Sequence, residues 1–141
     1  MDNVFIMLHV LAKHGNEFLD KKLEDYGISC YHYTFIKKIY ENPGITRDYL
    51  KNIVHVHPSN TTRVLDYLED KKLIIKKKDE KDRRICELYP TKALEDIYFK
   101  IIECEEEWIN IITKVFNEEE KKKYFSSIEK SYKLSIKEIH K

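Results

Sequence analysis

Residues 58–91 read PSNTTRVLDYLEDKKLIIKKKDEKDRRICELYPT, and three patterns follow one another inside them. Pro58 suits a first helical position, where its missing N–H would have had no partner in any case. Thr61, Val64, Leu65 and Leu68 then recur three, one and three residues apart, which predicts the inward face of a helix running to about Lys71. Leu73, Ile74 and Ile75 form a short β-type run and Ile85 to Tyr89 a second; the charged tip between them predicts a two-stranded hairpin. Thr91 is placed to cap a long helix over 92–116.

The outward face of the helix that starts at Pro58 begins Ser59, Asn60, Thr62 and Arg63. Short polar side chains let a helix N-terminus approach a duplex closely; arginine bonds guanine, and asparagine adenine, through two hydrogen bonds at once. The same helix end attracts phosphate. Eight basic residues lie between Lys71 and Arg84, and a cationic arm of that kind binds the nucleic-acid backbone in a salt-dependent way. The pair of elements therefore reads as a specificity helix followed by an anchoring hairpin.

Upstream, Thr46 is an N-cap for a short helix, Arg47 to Val54, with Leu50, Ile53 and Val54 inward. Before it, Phe35, Ile36 and Ile39 mark a second helix, with Ser29 as its expected N-cap and Asn42, Pro43 and Gly44 ending it. Residues 2–26 place Phe5, Leu8, Leu11, Phe18, Leu19 and Leu23 on one face of a first helix, and Gly27 stops it. Downstream, the 92–116 helix carries Leu94, Ile97, Ile101, Trp108, Ile111, Ile112 and Val115. Asn117 and Glu120 form a capping box for a last helix bearing Tyr124, Phe125, Ile128, Tyr132, Ile136 and Ile139. These stripes are too long for a chain of this size to cover alone, so a two-fold partner is expected.

Composition agrees. A chain of 141 residues is one domain's worth, and three glycines and three prolines argue for long helices joined by short turns. The formal net charge is only +1, but residues 43–92 hold twelve Lys or Arg against eight Asp or Glu, so the cationic excess is local. Cys30, Cys86 and Cys104 are odd in number and lack metal-ligand spacing, which fits a reducing cytoplasm without disulfides. The first eleven residues lack the basic lead and cleavage site of a signal peptide, and no run reaches the length of a membrane span. No phosphate loop, nucleophile elbow or paired catalytic acid is visible, so no enzyme and no cofactor is expected. The six histidines form no set with dependable ligand spacing, so no metal is expected either.

Helix, helix, short apolar residue, helix, recognition helix, hairpin, long helix is the order of a winged helix-turn-helix. Within it the run from Lys78 through Asp79, Glu80, Lys81, Asp82 and Arg83 to Arg84 resembles the wing signature of the MarR family of bacterial transcriptional regulators. Arg63 to Glu69 is similar to that family's recognition-helix segment, and Thr91 falls on the threonine that opens its long dimer helix. The resemblance covers essentially the whole chain. It implies a mainly α fold, a single 1–141 domain with a winged helix-turn-helix DNA-binding lobe over 30–91 and a helical dimerisation lobe over 1–29 and 92–141.

By the same resemblance, Asp82 holds Arg84 so that its guanidinium enters the minor groove, Ser59, Asn60, Thr62 and Arg63 face the major groove, and Thr46 and Arg47 touch phosphate. Lys78, Lys81 and Arg83 complete the DNA-contacting set. The expected function is that of a homodimeric repressor on a pseudo-palindromic operator in double-stranded DNA, released by a small-molecule effector or a redox signal. Cys30, His32 and Tyr33, with Tyr31 and Tyr40, are the candidate effector or redox residues. The alternative is a winged-helix module that binds protein without specific DNA contact. Three positions depart from the family pattern: Lys72 stands where a glycine usually ends the recognition helix, Pro90 replaces a leucine and Leu94 a glycine.

Overall fold

The computed structural model describes residues 3–54 and 58–140. Helix α1 (Val4–Leu23) passes through a 3-10 turn (Glu24–Tyr26) to α2 (Tyr33–Glu41), β1 (Ile45–Thr46), α3 (Arg47–Val54) and α4 (Pro58–Asp70). Strands β2 (Ile74–Lys78) and β3 (Cys86–Pro90) follow, then α5 (Lys92–Thr113) and α6 (Glu118–Ile139). The sheet is antiparallel in the order β1-β3-β2, with Ile45 opposite Leu88 and Lys76 opposite Leu88 on the other side. This is a winged helix-turn-helix preceded and followed by helices. Among the described residues no helix is long and apolar enough to cross a membrane.

The chain divides into two compact units, residues 1–105 and 106–141, the division falling inside α5. The first has one core in which Leu23, Phe35, Ile36, Leu50, Leu65 and Leu88 are buried together. Those residues come from α1, α2, α3, α4 and β3, so the hydrophobic effect fixes α4 against the wing and against α2 at once. On α4 the expected inward set, Thr61, Val64, Leu65 and Leu68, is buried. In the second unit Asn117 and Glu120 make the expected capping box, Glu120 N–H donating to Asn117 Oδ1 at 2.8 Å.

Both units leave apolar surface uncovered. In α1, Phe5 is 74% and Leu8 60% exposed, with Ile6 and Met7 also open. In α6, Ile128, Tyr132 and Leu134 are exposed.

Several local boundaries differ from the sequence reading: α1 ends at Leu23, and β2 runs on through Lys76, Lys77 and Lys78, which the sequence pattern places in the charged tip. Helix α2 begins at Tyr33, because residues 29–32 close a turn of their own: His32 N–H donates to the Ser29 carbonyl, and Ser29 Oγ accepts from Tyr31 N–H rather than capping the helix. Ile45 and Thr46 form a strand, although two residues carry no alternation by which a strand is recognised. Helix α5 ends at Thr113, where Phe116 N–H returns to the Thr113 carbonyl.

Two helix ends use the same device. After the 3-10 turn, Gly27 at φ 70° donates to the Glu24 carbonyl and Ile28 to that of Leu23. After α4, Lys72 donates to Glu69 and Leu73 to Leu68. Both are Schellman closures, which require a left-handed residue; in the second that residue is Lys72 at φ 60°. A side chain in this conformation costs about 1 kcal/mol relative to glycine, partly offset by glycine's greater freedom when unfolded. Lys72→Gly is therefore expected to stabilise the fold by up to about 0.6 kcal/mol, read as a higher midpoint in urea denaturation with an unchanged slope. A lower midpoint contradicts the assignment of strain.

Pro90 fits the exit of the wing because Thr91 N–H donates to the Leu73 carbonyl at 3.0 Å. That makes 73/91 the hydrogen-bonded pair and 74/90 the non-bonded one, so the ladder to β2 needs no donor from Pro90. Thr91 Oγ1 also donates to the Lys72 and Leu73 carbonyls and accepts from Leu94 N–H, tying the wing to the start of α5.

Candidate nucleic-acid interface

Burial of Thr61, Val64, Leu65 and Leu68 turns the other side of α4 outward, and Asn60, Thr62 and Arg63 are exposed there. The side chain of Ser59, and all of His55, Val56 and His57 before α4, lie outside the described residues. Thr46 caps α3 by accepting from Tyr49 N–H at 3.2 Å, and Thr46 and Arg47 are both half-buried at that helix's start.

The wing tip is built by two aspartates. Asp79 accepts from the N–H groups of Lys81 and Asp82 at 2.8 and 3.0 Å, which folds the turn back on itself. Asp82 then accepts from Arg84 three times: from its backbone N–H and Nε at 3.0 Å on Oδ1, and from Nη2 at 3.1 Å on Oδ2. The pair is bidentate, the geometry that suits guanidinium to carboxylate best. Arg84 lowers the Asp82 carboxyl pKa and Asp82 raises that of the guanidinium, so both are charged at neutral pH. The Arg84 side chain is nevertheless 91% exposed. It is an oriented cation facing solvent.

Arg83, Lys81, Lys77 and Lys78 are also exposed. Arg47, Lys78, Arg83 and Arg84 share a cleft of about 690 Å³ with Glu69 and Lys76. Lys76 differs from its neighbours: its Nζ lies 2.5 Å from Asp66 Oδ1 and 3.6 Å from Glu69 Oε1, both on α4. The sequence reading named Asp79 within the wing signature without foreseeing that it folds the turn, and it missed this Lys76 contact. A DxxE step on α4 is the only trace of the second, and it becomes meaningful only with the helix-to-strand register known.

A second cleft, of about 480 Å³, opens between the start of α2 and the outer side of α4 and is lined by Cys30, His32, Phe35, Asn60, Arg63 and Tyr67. Tyr31 also borders it. Tyr33 instead packs against the core, and Tyr40 stacks on Tyr98 at 4.1 Å with its hydroxyl donating to Glu95. The cleft thus brings together Cys30 and His32 from the expected effector set, without Tyr33. Burial, then the neighbouring Asp20 carboxylate, push the Cys30 thiol pKa up. That favours the protonated thiol, the opposite of what thiolate redox chemistry needs.

His32 stacks on Tyr67 with ring centres 4.5 Å apart and planes 9° from parallel, and the Tyr67 hydroxyl donates to the Gly27 carbonyl. Ser29 N–H donates to His32 Nδ1 at 3.0 Å, which requires that nitrogen unprotonated. Burial lowers the His32 pKa, with Lys71 adding to the effect and Asp20 opposing it. A base whose pKa is lower in the folded state adds stability that is complete above the unfolded value of about 6.5 and lost as pH falls. Urea denaturation is thus expected to show a lower midpoint at pH 5.5 than at pH 7.5, with the difference reduced in His32→Gln. An equal difference in the variant rules His32 out as its source.

The sequence pattern of the MarR family matches residues 31–86. The chain is 31% identical to a MarR protein from Peptoclostridium difficile, covering 96% of this chain and 89% of that one with a TM-score of 0.90. A MarR family regulator from Listeria monocytogenes, solved in complex with a 26mer DNA, aligns over 94% of this chain and 89% of that one at a TM-score of 0.84 and 22% identity. An uncharacterised HTH-type transcriptional regulator of Bacillus subtilis, YybA, is 26% identical over 98 residues, which span 70% of this chain and 65% of that protein.

Proposed function

The chain belongs to the MarR family, and from that premise we propose that it is a homodimeric DNA-binding transcriptional regulator acting as a repressor on a pseudo-palindromic operator. The observation that carries the reading is the bidentate Asp82–Arg84 pair at the tip of an exposed wing, in the same compact unit as the polar outer face of α4. An arginine held by a carboxylate is preorganised for a narrow, electronegative minor groove. Asn60, Thr62 and Arg63, with Ser59, are the groups for base edges in the major groove. Thr46, Arg47, Lys78, Lys81 and Arg83 supply phosphate contacts.

We assign residues 30–91 as the DNA-binding lobe of a single domain and residues 1–29 and 92–141 as the dimerisation helices, whose exposed apolar side chains a second copy covers. A small molecule entering the cleft between α2 and α4 acts as the releasing signal. Asn60 and Arg63 line that cleft and also belong to the proposed base-reading face, so a ligand there withdraws residues from DNA. The raised Cys30 pKa favours such a ligand over thiol oxidation.

The test is selection of bound sequences from random duplex DNA on the purified full chain, then titration of the recovered duplex and a scrambled one at the same salt. The expected result is two chains per duplex and a preference on the order of a thousandfold or more. Equal affinity for both duplexes removes the DNA-reading function and leaves a protein-binding winged helix.

A further inference from the structure

Among the wing lysines, Lys76 has a different environment from Lys77 and Lys78. It lies in the middle of β2 on the same face as buried Ile74, while Lys77 points to the opposite side. Its side chain is 21% exposed, against 59% for Asp66 and 45% for Glu69. Burial alone would lower its pKa, but the hydrogen bond to Asp66 and the charges of Glu69 and Asp66 outweigh that and raise it. It is a held cation whose partners are spaced one turn apart on the recognition helix.

The position of Glu69 adds a second constraint. Its carboxylate lines the same cleft as Arg47, Lys78, Arg83 and Arg84, where an uncompensated negative charge would repel phosphate. Lys76 neutralises it from within the fold.

We propose that Lys76 is a positioning residue for operator binding: through Asp66 and Glu69 it clamps the first strand of the wing to α4, setting the distance between the base-reading helix face and the Asp82–Arg84 pair without itself touching phosphate. This rests on the DNA-binding function proposed above. A phosphate-binding lysine and a positioning lysine leave different signatures, because only the first releases counterions on binding.

The experiment titrates the selected duplex and its scrambled counterpart with the full chain over a range of salt, using wild type, Lys76→Met, Asp66→Asn and the double variant. Methionine keeps the aliphatic stem and its packing while removing the charge. The expected result for Lys76→Met is a fall of about fivefold per half-site in the preference for the selected duplex, with an unchanged slope of log affinity against log salt. Asp66→Asn reproduces the loss, and the double variant is no worse than either single one, as for two residues acting as one contact. Lys78→Met, at a proposed phosphate contact, gives the contrasting signature, a slope lower by about 0.9 per contact with the preference retained.

The proposal is overturned if Lys76→Met lowers the slope in the manner of Lys78→Met, if Asp66→Asn strengthens specific binding by freeing the lysine, or if the losses add in the double variant. Should Lys76→Met fail to fold in a circular dichroism melt, Asp66→Asn decides alone, since it is isosteric at an exposed position: a lowered preference upholds the clamp, and an unchanged or raised one ends it. A wild-type protein that binds both duplexes equally overturns the DNA-binding reading as well, which separates the two failures.

Discussion

Arg84→Ala is expected to weaken binding to the selected operator on the order of a hundredfold while changing affinity for a scrambled duplex much less. A well-oriented arginine contributes about 1–3 kcal/mol of discrimination at each site, and a symmetric dimer loses it twice. The orientation comes from Asp82, which engages Nε and Nη2 at 3.0 and 3.1 Å, so the guanidinium loses little freedom on entering a groove. Asp82→Asn keeps the cation but removes the charged acceptor, and a smaller loss in the same direction follows. The Asp82 pKa lies below its usual value; the pair is therefore intact throughout the neutral range and is lost only on acidification through the carboxylate range. Fluorescence anisotropy at fixed salt measures both variants. An Arg84→Ala protein with wild-type operator affinity sinks the wing assignment.

Leu8→Glu is the second substitution with a large effect. Leu8 is 60% exposed, so a glutamate there costs the isolated chain little, whereas in an interface it buries a charge without a partner. The expected result is a monomer in sedimentation velocity at concentrations where wild type is a dimer, with an unchanged far-ultraviolet spectrum. Operator affinity falls by two orders of magnitude or more, because joining two half-site readers in one dimer raises affinity over a single reader by about 10²–10⁴ through effective concentration. Ile128→Glu on α6, also at an exposed apolar position, tests the other unit in the same way. A monomeric wild type, or a Leu8→Glu dimer of normal affinity, contradicts the assignment of the α1 face to dimerisation.

What could be read in the chain follows the range of the interactions involved. The inward face of α4 was legible because Thr61, Val64, Leu65 and Leu68 repeat at helical spacing. Lys72 stood out only through the resemblance, as a lysine where a glycine usually ends the recognition helix, and its φ of 60° is the left-handed backbone that such a glycine serves. The hairpin was legible from two β-type runs around a charged tip. Strand β1 was not, because two residues define no period, and it is a strand only through its pairing with β3. The clamp joining Lys76 to Asp66 and Glu69 was hidden for a related reason: it spans ten residues of chain and depends on how β2 docks on α4. The cleft that joins Cys30 and His32 to Asn60 and Arg63 spans more still. Ser29 misled because a serine before a helix is a good cap in general, while here His32 takes its N–H and closes a separate turn.

These residues divide the interface by task. Under the proposed function, the outer face of α4 discriminates bases, the exposed lysines of the wing anchor the backbone, Arg84 reads the minor groove, and Lys76 keeps helix and wing in register. The division appears in DNA as a pattern of protection rather than as an affinity. Hydroxyl-radical footprinting of the selected duplex is the most direct test of it, since the radical attacks sugars from the minor groove. Two symmetric minor-groove patches of protection are predicted, flanking two half-sites about one helical turn apart, and both patches are lost in Arg84→Ala while the chain stays bound at low salt. A single patch, or protection that survives the substitution, contradicts the account.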